Sequence, residues 1–156
     1  MFCVAVLLLS LPGHVYAEKL TLAHVAVNPS QGIFWVAKDS GILAKYGFTA
    51  DIVLVPGTPR TVQALIAGDL DYAVAGSPAA LRARMQGADV VMLAGLSSYP
   101  SQRVFVRKDS TIQNLSELKG KLVGVTQFGS AGDTFFRSAL KKVGLKESDV
   151  TVLQMG

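Results

Sequence analysis

The chain has 156 residues, half of them apolar, with 15 basic and 11 acidic side chains giving a formal net charge of +4. That length suits one full domain, or one domain plus part of another. No run of like charge exceeds two residues, which leaves nucleic-acid binding without support and favours anionic ligands only slightly.

Residues 1–17, MFCVAVLLLSLPGHVYA, have the layout of a secretory signal peptide. Phe2 to Leu11 form the apolar stretch, Pro12 and Gly13 break it, and Val15-Tyr16-Ala17 places small residues where a signal peptidase reads, so cleavage is expected after Ala17. The stretch is shorter than the ~20 residues a membrane-crossing helix needs. It departs from the pattern in one respect: no Lys or Arg follows Met1. Cys3, the single cysteine, lies inside this segment, so the mature chain is expected to lack disulfides, zinc-thiolate sites and cysteine nucleophiles.

From Lys19 the chain alternates strand-like and helix-like runs. Leu20 to Val25 reads as a strand, Asn28 to Gly32 as a polar turn, and Ile33 to Ser40 as a helix, with a further short helical turn between Gly41 and Gly47. Phe48 to Val55 reads as the second strand. Thr58 is expected to cap the next helix with Pro59 at its first position and Gly68 at its end. A short strand over Asp71 to Ala75 leads into Gly76-Ser77-Pro78, where Ser77 is the expected cap of a helix reaching about Gln86. Asp89 to Leu96 is almost wholly apolar and reads as a buried strand. Gln102 to Lys108 alternates and reads as a crossover strand between two lobes. A polar loop with one short helix follows. The rhythm then restarts, with strand Leu122 to Thr126, helix Asp133 to Val143 and strand Val150 to Leu153.

Strands alternating with helices predict a parallel sheet and the α/β class. The expected domains are a signal peptide at 1–17, a first lobe at 18–101, a hinge at 102–108 and the beginning of a second lobe at 109–156. Two strands and one helix cannot bury both faces of a sheet, so the second lobe is expected to continue in a longer protein.

Gly124 to Gly129 has the spacing of the first half of a phosphate-binding P-loop, but Ser130-Ala131 stand where Lys and Ser/Thr are required. What remains is a strand-to-helix turn in which Ser130, Ala131, Gly132, Asp133 and Thr134 surround backbone N–H groups. Two readings stand: an anion site, or a helix start that Ser130 or Asp133 caps. Asn28, Ser30 and Gln31 after the first strand, and Gly76 and Ser77 after the third, occupy the same kind of turn. In open parallel sheets ligands bind at the carboxyl ends of strands, so these turns are the candidate walls of a cleft. Catalytic signals are poorer. His24, the one histidine past the signal, reads as a packed strand residue, Asp69 and Asp71 as a turn and strand cap, and Phe34-Trp35 as core or cleft lining. There is no nucleophile elbow.

Three segments, FWVAKDSGILAKYGF (34–48), ALIAGDLDYAVAGSPAAL (64–81) and DSTIQNLSELKGKLVGVTQFGSAGDTFFRSALKKVGL (109–145), resemble periplasmic substrate-binding proteins of ABC transporters of the nitrate/sulfonate/taurine class. The resemblance implies a type II periplasmic-binding-protein fold: two α/β lobes joined by a hinge, closing as a monomer on a small polar or anionic solute for delivery to permease subunits in the membrane. It implies ligand contacts at Asn28, Ser30, Gln31, Gly76, Ser77 and Ser130 to Thr134, and calls for no cofactor, metal or nucleic acid. The family that the resemblance points to also includes binders of pyrimidine (thiamine-related) precursors, and a pyrimidine-synthesising enzyme branch looks similar; that branch relies on a cysteine-rich motif and histidines that this chain does not show.

Overall fold

The computed structural model describes residues 17–99 and 102–156. The signal segment up to residue 16, and residues 100 and 101 at the expected end of the first lobe, lie outside the described residues.

The first unit is built from β1 (Glu18–His24), α1 (Ile33–Asp39), α2 (Ile42–Lys45), β2 (Phe48–Leu54), α3 (Thr58–Ala67), β3 (Tyr72–Val74) and α4 (Ser77–Met85). Its three strands are parallel in the order β2-β1-β3, with Leu22 level with both Ile52 and Tyr72. The chain leaves β1 for one neighbour and returns for the other, which puts a topological switch at the carboxyl end of the central strand. Leu20, Leu22 and Ala50 form the core on one sheet face, covered by Phe34, Leu43 and Phe48. At the opposite end of the ladder the Asp71 carboxylate accepts from the Thr21 N–H at 2.7 Å, the strand-cap role expected of it.

The second unit holds β4 (Leu122–Val125), α5 (Ala131–Lys142) and β5 (Thr151–Gln154), with β4 and β5 parallel. On α5, Asp133, Phe136 and Leu140 occupy one buried stripe. Phe136 and Leu140 pack with Leu118 and Val150, whereas Val143, at the C-cap of α5, is 38% exposed.

Two expected strands are absent. Residues 89–96 and 102–107 join no ladder, and Val91, Leu93 and Phe105 are 68%, 73% and 87% exposed. The reason is physical: an apolar run becomes a buried strand only when a neighbouring strand takes its backbone N–H and C=O groups. Among the described residues none does. An open groove of about 820 Å³ separates residues 102–107 from β4.

Candidate functional site

Each strand of the first sheet ends in a turn leading to a helix, and the three turns differ in how their polar groups are used. After β1, the His24 ring is buried, its Nδ1 lies 2.9 Å from the Ala26 carbonyl oxygen, and Trp35 meets it edge-on at 4.5 Å between ring centres. His24 is thus a packed residue, as expected, and Trp35 rather than Phe34 stands at the carboxyl end of the sheet. Beyond them the Ser30 hydroxyl donates to Asn28 Oδ1 at 2.6 Å, and Gln31 Oε1 accepts from the Val25 N–H at 2.9 Å. These contacts fold the Asn28 to Gln31 turn onto itself and onto β1.

After β2 and β3 the chain repeats one pattern, Gly57-Thr58-Pro59 and Gly76-Ser77-Pro78. The expected caps shift by one residue. Gly57 and Gly76 hold the N-cap positions, Thr58 and Ser77 are the first helical residues, and neither α3 nor α4 has a side-chain cap. The Thr58 hydroxyl turns the other way and accepts from the Gly76 N–H at 3.3 Å, tying the two turns together. Thr61 closes the same corner by donating to the Val55 carbonyl at 3.1 Å. First-turn N–H groups of a helix have no intrahelical partner, so the starts of α3 and α4 present uncapped donors at the switch point.

After β4 the arrangement is the reverse. Ser130 is the N-cap of α5, its Oγ accepting from the Asp133 N–H at 3.2 Å, and the Thr134 hydroxyl donates to the Ser130 carbonyl at 2.9 Å. Asp133 is buried; its carboxylate accepts from the Gly129 N–H at 2.7 Å and pairs with Arg137 Nε at 2.9 Å. Burial opposes the Arg137 charge, but Asp133 and Glu147 outweigh it and hold its pKa above the ordinary guanidinium value. Of the two readings left open by the sequence, capping is the one these contacts show for Ser130 and Asp133. Ala131 and Gly132 carry the first-turn N–H groups that remain.

The turns meet. A Cβ placed on Gly76 would stand 2.5 Å from Ala131 Cβ, and one on Gly57 would stand 2.2 Å from Gln127 Oε1. Gly57 has φ +83°, so its backbone conformation favours glycine there, with the Gln127 side chain lying against it. Gly76, Ser77 and Ala131 are therefore brought together from the two lobes, and α3, α4 and α5 start at one junction. Gln127 Oε1 is buried at that junction and has no hydrogen-bond partner among the described residues. Sequence reasoning missed Gly57, Thr58 and Gln127. The Gly-hydroxyl-Pro repeat was the available signal for the first two.

Known proteins resemble this chain in sequence and fold. A family model described as NMT1/THI5 like matches residues 28–156. A Brucella abortus (strain 2308) protein, provisionally named a binding protein, is 32% identical over 147 residues, spanning 93% of this chain and 44% of its own length. A Haemophilus influenzae protein, provisionally named a thiamine biosynthesis protein, is 29% identical over 150 residues, spanning 96% of this chain and 47% of its own. The crystal structure of the periplasmic aliphatic sulphonate binding protein SsuA from Escherichia coli superposes with a TM-score of 0.63 at 26% identity, over 89% of this chain and 47% of that one. The alkanesulfonate-binding protein SsuA from Xanthomonas axonopodis gives 0.64 at 23% identity, a likeness of fold. This chain thus spans less than half the length of these relatives, and its architecture is that of the periplasmic binding proteins. It belongs to the NMT1/THI5-like family.

Proposed function

We propose that this chain is the solute-binding part of an ABC import system, non-enzymatic and periplasmic, which captures a small polar or anionic solute between its lobes and passes it to a membrane permease. The observation that carries this is the junction of three helix starts, α3, α4 and α5, at the carboxyl ends of their strands. One helix start contributes about 0.3–1 kcal/mol toward an anion, whereas micromolar affinity needs about 8 kcal/mol. Converging starts, a buried site and further groups are therefore required together. Ser77, Ala131 and Gly132 supply the backbone donors, and Gly76, whose N–H is held by Thr58, lets the turns approach; Asn28, Ser30 and Gln31 form the outer wall beside Trp35. Ser130, Asp133 and Thr134 act by holding the α5 start in place.

A second reading has its own support: the Haemophilus influenzae relative carries a thiamine-related name, and the unpartnered Gln127 carbonyl suits a ligand with an N–H donor such as an aminopyrimidine. Thermal-shift measurements on the full-length protein with alkanesulfonates, nitrate, bicarbonate and aminopyrimidines separate the two. A rise with the anions is the expected result. A rise with aminopyrimidines alone selects the second reading, and no response to any of them overturns both.

A further inference from the structure

Arg82 is exposed in the middle of α4, yet its guanidinium Nη2 donates to the Gly129 carbonyl in the turn before α5. Among the described residues it forms no ion pair. Gly129 is gripped from the other side as well, because its N–H donates to Asp133, which pairs with Arg137, which in turn meets Glu147. A single residue is thus held through its N–H by the second lobe and through its carbonyl by the first. The fit is close: a Cβ on Gly129 would stand 3.2 Å from Arg82 Nη2, and the Gly76–Ala131 approach beside it admits no side chain on Gly76.

We propose that Arg82 and Gly76 form a latch between the lobes, the arginine supplying the attraction and the glycine the seat that lets the turns meet, so that together they set how much of the protein is closed before solute arrives. The proposal rests on the reading above that the cleft opens and closes around a solute. A charged donor on a neutral carbonyl suits this role. Arg82 is fully hydrated when the lobes part, so its bond is worth only a modest net amount and closure stays reversible. The closed fraction enters apparent affinity directly, because a binder whose competent state is partly populated binds more weakly by that fraction.

The test uses the full-length protein with Cys3→Ser, Gln63→Cys on α3 and Lys141→Cys on α5, both exposed positions, carrying spin labels, and reads the interlobe distance distribution with no solute added. Arg82→Ala is expected to lower the short-distance population relative to the long one by about tenfold, the weight of one such hydrogen bond. Arg82→Lys, which keeps one donor, falls between. Gly76→Val is expected to shift the distribution the same way by steric wedging. An unchanged distribution in Arg82→Ala overturns the latch even if Gly76→Val fails to fold, since that arginine is exposed and touches one carbonyl. Because no solute is present, a failed solute screen sinks the binding reading alone, and intact solute binding with an unchanged distribution sinks the latch alone.

Discussion

The helix starts of the first lobe and that of the second share one layout and use it in opposite ways. At Gly57-Thr58 and Gly76-Ser77 the N-cap is glycine, no side chain satisfies the first-turn N–H groups, and the hydroxyls are spent on linking turns or left outward. At Ser130 the cap is made by the side chain, and a buried aspartate occupies the third helical position. The first lobe keeps its donors available; the second lobe uses part of its own to fix a turn. A strand-to-helix turn therefore becomes a recognition surface when its cap is withheld, and a supporting one when the cap is made.

The largest expected effect comes from undermining the supporting side. Leu140 is fully buried on the packed face of α5, and Leu140→Ala should lower stability by about 2–5 kcal/mol in chemical denaturation. A loss below that range would mean that the packed face of α5 does not anchor the second lobe. A sharper contrast is Ser130→Ala against Ser77→Ala. Removing the Ser130 cap should cost about 1 kcal/mol of stability, while Ser77, which caps nothing, should stay within about 0.5 kcal/mol. Equal costs would erase the distinction between the two kinds of turn. The smallest effect is electrostatic and lies away from the site. Asp51 pairs with Lys19 at 2.7 Å on the open surface of β1 and β2, and hydrogen bonding and charge from Lys19 hold its carboxyl below the ordinary value. With the folded pKa depressed, the pair helps the folded state above the unfolded pKa and the help is lost as pH falls through the folded one. Carboxyl titration by NMR should show Asp51 moving back toward its ordinary value in Lys19→Ala.

Much of this was readable in the residues. The β1, β2, β4 and β5 strands, the glycine stops and the Phe136–Leu140 face follow from local pattern, because each is decided by residues close in sequence. The Ser130 turn was legible only as a pair of options: a hydroxyl before a helix looks the same whether it caps or binds, and the deciding contact is made in three dimensions. Gly76 is the opposite case. It reads as a turn residue and a candidate ligand contact, yet Ala131, roughly fifty residues or more away, is what forbids a side chain there. The runs 89–96 and 102–108 failed as strands for a related reason. Their pattern is a strand's, but pairing is a property of two segments, and pattern speaks for one.

Those unpaired runs also carry a solubility cost. Val104-Phe105-Val106 is flanked by Arg103, Arg107 and Lys108, charges that discourage two copies of the segment from stacking edge to edge. Val90 to Leu96 has only Asp89 before it and no charge within it, while Val91, Met92 and Leu93 lie open to solvent. In concentrated preparations of this chain, self-association is expected to begin at that second window, and a lysine placed within it should delay the onset of turbidity.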